Sequence, residues 1–306
     1  MSVPWLLLQV PPSDTWFTVS PHWGWYIVVY FFLGGIAGGA AFLSGLLDLF
    51  GNPLDRPMTR IGYVLALVAV AVGGPLLIID LTRPERFWHM VIQSNTMTPM
   101  FKWYSPLSFG IYILIAFSLC VGLSALAALA DWRVLPRAFS RLGEGGFGKL
   151  LALGCVLTGT ALAGYTGLVL TTTNRPLWGD TAWMSLLFLL SGISAGSAAM
   201  ILFGRRRGHP GTVHWLEEME RYSSIGEIIV LAIMAATLWS IVQVVWGGVW
   251  GIILIVGVVL LGILAPLLLY RRPRTLGMAT VPIAALLVLL GVFLLRTVVI
   301  LSSEAI

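Results

Sequence analysis

The octet Gly34-Gly35-Ile36-Ala37-Gly38-Gly39-Ala40-Ala41 is echoed by Ser191-Gly192-Ile193-Ser194-Ala195-Gly196-Ser197-Ala198. Four of the eight positions are identical, and every position but the shared isoleucine is small. Both octets sit inside long apolar runs. Lipid offers helices no hydrophobic drive to associate, so small residues at this spacing serve close approach of backbones. Working outward, about 20 apolar residues are needed to cross a hydrocarbon core. Eight such runs appear: Trp23–Leu47, Ile61–Ile79, Tyr104–Ala130, Leu150–Thr171, Trp183–Phe203, Ile225–Val245, Trp250–Tyr270 and Met278–Leu301. The octets belong to the first and fifth, which therefore run in the same direction. This predicts an all-α integral membrane fold of eight transmembrane helices, built as two parallel-related four-helix units over 23–171 and 183–301. Residues 1–22 form an outer N-terminal segment. The whole, 1–306, reads as one membrane domain, in which Gly204–Ser224 is the longest polar connection.

Composition agrees. The chain is 58% hydrophobic and only 10% charged, against about 25% charged in soluble domains. A net charge of +5 is then a statement about topology and gives no reason to expect nucleic acid. The first 20 residues hold no Lys or Arg, which predicts no cleaved secretory leader. Thirteen Lys and Arg fall after the odd-numbered runs and five on the other side, termini included. The positive-inside rule then puts both termini outside. Ten of the 13 tryptophans map to that outer side, which reads as a lopsided interfacial belt or as a docking surface.

Charges inside spans are expensive, so each asks for an explanation. Asp80 near the end of the second run, Arg296 in the eighth and Tyr165 in the fourth all fall in the outer half. They either converge or reach separately for the interface. Asp48 and Glu227 are placed at the inner ends of the first and sixth runs, where they serve as caps or as proton entries. Tyr165-Thr-Gly-Leu-Val-Leu-Thr-Thr-Thr-Asn-Arg-Pro-Leu-Trp178 begins in an apolar helix and ends in a polar, aromatic mouth. Pro176 biases Arg175 away from helix, so this helix ends near Thr173. A phenol below Asn174, Arg175 and Trp178 suits a flat, lipid-soluble, carbonyl-bearing ligand, or is an interfacial aromatic beside an ordinary loop. Gly73-Gly74-Pro75 predicts a bend below Asp80.

His22, His89, His209 and His214 all lie outside the spans, which predicts no b-type haem. Cys120 and Cys155 lack metal-ligand spacing, so no iron–sulfur cluster and no metal site is expected in this chain.

The chain resembles the NrfD/PsrC family of integral membrane subunits of polysulfide-reductase-like respiratory complexes. The matching pieces are Leu33-Gly34-Gly35-Ile36-Ala37-Gly38-Gly39, Asp80-Leu-Thr-Arg-Pro-Glu-Arg-Phe87, and Tyr165-Thr-Gly167 with Asn174-Arg-Pro-Leu-Trp178. The resemblance implies a subunit of a bacterial or archaeal cytoplasmic membrane that binds a quinone, menaquinone or ubiquinone. It implies electron exchange with a four-cluster ferredoxin-like iron–sulfur subunit and, through it, a molybdopterin catalytic subunit, docked on the periplasmic face. It makes Tyr165 the quinone-contacting residue and matches Asp80 to a family acid that relays protons. A histidine of a well-known relative is replaced here by Tyr30, so His22, Trp23 or Tyr30 supplies the second contact. Arg175 and Trp178 then shape the mouth or meet the partner, and Arg296 belongs to the pocket. A secondary transporter, or a passive anchor without a quinone site, is the alternative reading.

Overall fold

A computed structural model describes residues 23–81, 83–271 and 277–304, with Met278 described by its backbone alone. The long helices are α1 (Trp25–Phe50), α2 (Arg56–Ile79), α3 (Pro106–Asp131), α4 (Gly145–Thr171), α5 (Trp183–Gly204) and α6 (Pro210–Thr237). A short α7 (Trp239–Val245) follows. Next comes a rod made of α8 (Val249–Ile252), a π-helical stretch (Ile253–Leu264) and α9 (Ala265–Arg271), and the last helix is α10 (Thr280–Glu304). Among the described residues, seven helical spans are long and apolar enough to cross a membrane, or eight if α6 and α7 count as one bent span.

α1 is the hub, packed against α2, α4, α5 and α10. The two octets meet there. A Cβ added at Gly39 would strike the carbonyl of Gly192, and one added at Gly196 would strike the backbone of Gly39. On the neighbouring face of α1, a Cβ at Gly38 would lie 2.7 Å from the carbonyl oxygen of Gly159 in α4. The echoed small residues are therefore two halves of one helix crossing, in which backbone touches backbone.

The ends of the bundle differ in chemistry. The backbone N–H of Trp23 donates to Glu304 Oε1 at 3.1 Å, so the start of α1 and the end of α10 share one face. Trp178 stacks on Trp23 at that same level. At the other end the Tyr63 hydroxyl donates to Asp48 Oδ2 at 2.9 Å, and Arg60 pairs with Asp131 at 2.5 Å. These are called the aromatic face and the basic face below.

Four expectations need correction. Only residues 205–209 of the stretch Gly204–Ser224 are a connection: α6 begins at Pro210, with His209 Nδ1 accepting from the Gly211 N–H at 3.2 Å as its cap. A proline at the first helical position costs no hydrogen bond there. Hydropathy overlooks this part because its buried side chains include Glu220 and Ser223. In consequence Glu227 is well inside α6 and 2% exposed, not at a helix end. The sixth span is also broken, since α7 turns by 102° from α6 across Leu238. Elsewhere α4 stops at Thr171, two residues before the expected end, and α2 continues through Pro75 to Ile79.

The octet crossing yields a direct test. Gly39→Leu should abolish recovery of folded protein from membranes, and Gly39→Ala should lower the unfolding midpoint in detergent, because overpacking a close contact costs about 1–3 kcal/mol. Gly122, in α3, has open space beside it. Gly122→Ala should be neutral or stabilising by up to about 1 kcal/mol.

Candidate functional site

Tyr165 lies on α4 and is buried to 9% exposure. Its hydroxyl donates to the Pro106 carbonyl oxygen at 2.9 Å, at the start of α3. The ring lies so close to Gly110 that any side chain there would overlap it. Two features of α3 thus aim the phenol: a first-turn carbonyl and a glycine one turn later. A phenol can donate once and accept as well. With its hydrogen directed to Pro106, Tyr165 offers an acceptor.

Tyr30, on α1, is buried beside Gly73 of α2, whose added Cβ would lie 3.4 Å from the ring. Tyr30 and Tyr165 belong to the same buried apolar cluster. Asp80 is the residue just past the end of α2, its N–H bonded to the Leu76 carbonyl at 3.1 Å. It is partly buried, and desolvation raises its carboxyl above the usual aspartate range. Among the described residues its carboxylate has no hydrogen-bond partner. Ile79, Leu107 and Phe109, at the end of α2 and the start of α3, are exposed apolar side chains suited to lipid contact.

Arg175 and Trp178 have a different setting. Arg175 is 4% exposed and pairs with Glu304 Oε2 at 3.0 Å. The Ser303 hydroxyl returns a bond to the Pro176 carbonyl at 3.1 Å. Trp178 is fully buried; its indole N–H donates to the Val299 carbonyl at 2.7 Å, and its ring stacks on Trp23 at 5.3 Å between centroids. Leu177 between them takes a left-handed φ of 71°, rare for a non-glycine residue. Asp180 holds it by accepting the Leu177 N–H at 2.9 Å. The loop after α4 is therefore clamped onto the last turns of α10.

Arg296 is fully buried among α1, α5 and α10. Its Nε donates to the Phe31 carbonyl at 3.0 Å, and its guanidinium lies 5.0 Å from the Phe188 ring centroid. A Cβ at Gly35 would sit 2.5 Å from Nη2, so the first octet also clears room for this side chain. The structure thus places Tyr30 and Tyr165 in one buried cluster, sets Trp23 and Trp178 side by side, and bonds Arg296 to the carbonyl of Phe31, the residue after Tyr30. It shows no contact joining Asp80 to Tyr165. His22 lies outside the described residues. No three His, Cys, Asp or Glu side chains cluster as a metal site among the described residues.

Comparison with known proteins decides the family. The family model described as "Polysulphide reductase, NrfD" matches residues 18–306. The chain belongs to the NrfD family. It is 27% identical over 307 residues to Protein NrfD of Escherichia coli, covering 92% of this chain and 95% of that one. It is 29% identical over 199 residues to the C polypeptide of polysulfide reductase from Wolinella succinogenes, covering 60% and 58%. A shorter match, 29% over 75 residues, joins it to the C component of selenate reductase from Mesobacillus selenatarsenatis, covering 24% and 18%.

In this NrfD-family protein, sequence reasoning missed Pro106 and Gly110, which aim Tyr165, and Glu304, which holds Arg175. Glu304 left a signal, being the only acid after Glu227. Pro106 and Gly110 left none, since their role depends on how α3 lies against α4. Glu304→Gln removes the charge that faces a buried guanidinium. It should destabilise the protein by about 3 kcal/mol, read as a lower unfolding midpoint in detergent. The double variant Arg175→Met with Glu304→Gln should recover part of that loss.

Proposed function

We propose that this chain is the quinone-reactive membrane subunit of a respiratory reductase complex, and that its ligand lies near the aromatic face between α1, α2, α3 and α4. The observation that carries this reading is the pair of buried phenols, Tyr165 and Tyr30, behind a lipid-facing apolar surface, with the Asp80 carboxylate, which has no hydrogen-bond partner among the described residues, just past the end of α2. A quinol is a lipid-soluble two-electron, two-proton carrier, so its site needs a hydrogen-bonding group and a proton acceptor. Tyr165 supplies the first. With its own hydrogen bonded to Pro106, the phenol oxygen accepts from a quinol hydroxyl; to serve a quinone carbonyl it must turn its hydrogen away from Pro106. Asp80 takes the proton and passes it to the aqueous face. Tyr30 or Trp23 makes the second contact, with His22 a further candidate. Arg175 and Trp178 shape the mouth from behind, by fixing the loop after α4 against α10.

The relatives named as components of polysulfide and selenate reductases support a role beside a catalytic subunit. Electrons then pass to a docked four-cluster ferredoxin-like iron–sulfur subunit and on to a molybdopterin subunit. Trp88, Trp103 and Tyr104 on the α2–α3 connection are exposed and suit such docking. The Lys and Arg bias supports a periplasmic aromatic face in a bacterial or archaeal cytoplasmic membrane, and the echoed octets support two parallel four-helix units.

Tyr165→Phe loses the hydroxyl and its bond to Pro106, about 1 kcal/mol of stability. Assembly should survive while quinone-linked turnover of the purified complex falls by roughly tenfold or more. Turnover at the wild-type level with native quinones removes Tyr165 from the site. For Asp80, wild-type turnover should fall as pH drops through a carboxyl titration set above the ordinary aspartate range, because the protonated acid no longer accepts. Asp80→Asn should be slow and lack that limb; an unaltered pH profile excludes Asp80 as the acceptor. A purified complex free of iron and quinone that catalyses solute uptake in vesicles would instead favour a transporter.

A further inference from the structure

On the basic face, the connection from α3 to α4 carries charges that the quinone reading leaves unused. Arg133, Arg137, Arg141 and Lys149 stand there against two acids, Asp131 and Glu144. Asp131 is already taken by Arg60. All four cations are exposed, and among the described residues none of them has a carboxylate partner. Arg207, from the connection between α5 and α6, joins them with its guanidinium 6.0 Å from the centroid of the Trp132 ring.

This connection is a packed platform. α3 ends on Arg133 in a left-handed conformation, φ 61°, which glycine usually supplies. The Val134 N–H then returns to the Leu129 carbonyl at 3.0 Å. A 3-10 helix (Arg137–Gly143) follows and packs against α3. Gly148, in the first turn of α4, closes on its end, because a Cβ there would lie 2.5 Å from the Gly143 carbonyl oxygen. Val134 and Phe139 are exposed between the cations. Beyond them Phe147, Leu150, Leu153 and Leu157 form an exposed stripe along α4, kept to one side by spacings of three and four residues. From Phe147 to Leu157 the helix rises about 15 Å, half of a hydrocarbon core of about 30 Å. The stripe is as long as one leaflet is deep.

Positive-inside topology explains the sign of the charge on this face. It does not explain why these cations stay unpaired beside an apolar stripe while Arg60, on the same face, is neutralised within the chain. We propose that the α3–α4 platform binds an anionic phospholipid of the adjoining leaflet. Arg137 and Arg141 take the phosphate, for which a planar guanidinium offers paired donors. Arg133 and Lys149 flank the headgroup, and an acyl chain lies along Phe147, Leu150, Leu153 and Leu157. A zwitterionic lipid brings its own cation into the cluster and gains less. An acidic protein matches the charges but leaves the stripe without hydrocarbon. The site is independent of the quinone reading.

The test places the full-length protein in phosphatidylcholine bilayers holding a trace of spin-labelled phosphatidylglycerol or spin-labelled phosphatidylcholine. Electron paramagnetic resonance reads the fraction of each label that the protein immobilises. Phosphatidylglycerol should associate roughly fivefold more strongly, and the preference should fall below about twofold in roughly 1 M salt, where screening acts within about 3 Å. A wild-type protein with no preference, or with one that salt does not move, overturns the site. Arg137→Gln with Arg141→Gln changes exposed side chains only and should bring the preference below about twofold. Arg221→Gln with Arg271→Gln, on α6 and α9, removes the same net charge and should leave the preference as in the wild type. An equal fall in the two double variants overturns the site in favour of overall charge. Displacement of the labelled lipid by millimolar glycerophosphoglycerol or by polyglutamate, which have no acyl chains, reassigns the platform to an aqueous anion or an acidic protein and overturns it as well.

Discussion

Everything in this bundle depends on how closely α1 can approach α4 and α5. Inside a membrane there is no water to expel between helices, so association rests on van der Waals contact and hydrogen bonds. Glycine at 38, 39, 159, 192 and 196 lets the backbones themselves touch. That closeness sets the remaining geometry. It brings Gly35 beside the Arg296 guanidinium and packs Phe31 against Phe188. With α1 anchored in this way, Tyr30 is held in the same buried cluster as Tyr165 on α4. A bulkier side chain at the crossing would move each of these groups at once.

A second device closes the aromatic face. The loop after α4 carries Arg175, Leu177 and Trp178, and all three are buried. Arg175 meets Glu304, Trp178 meets the Val299 carbonyl, and Trp23 lies across Trp178. The start of α1, the turn between α4 and α5, and the end of α10 are thus tied at one level. Such ties suit a surface that must hold its shape beneath a docked protein. They also explain the tryptophan bias in part: Trp178 is structural and enclosed, whereas Trp103 is 80% exposed.

Buried polarity is distributed unevenly. In the first half of the chain the acids sit near helix ends: Asp48 accepts from Tyr63, and Asp80 lies just past α2. On α6, by contrast, Glu220 and Glu227 lie inside the bundle. Burying such groups costs several kcal/mol apiece unless they are paired. Glu220 and Glu227 each keep an oxygen without a partner among the described residues.

Sequence by itself determined the class. The apolar runs, each near the length of a bilayer core, permit no other all-helical arrangement of such lengths, because backbone polar groups in lipid must bond within a helix. The echo between Gly34–Ala41 and Ser191–Ala198 announced close packing, and the Tyr165–Trp178 motif announced the family. Tertiary structure alone decided what those residues touch. Hydropathy counts residues in a window, so it could not see that Pro210–Ser224 is helical, or that Glu227 lies deep in the bundle. Nor could it tell an Arg175 that lines a mouth from one locked to Glu304, since a charge looks the same in sequence whether water or a carboxylate across 129 residues satisfies it. Periodicity places a side chain on a face of its own helix; only packing says which neighbour that face meets.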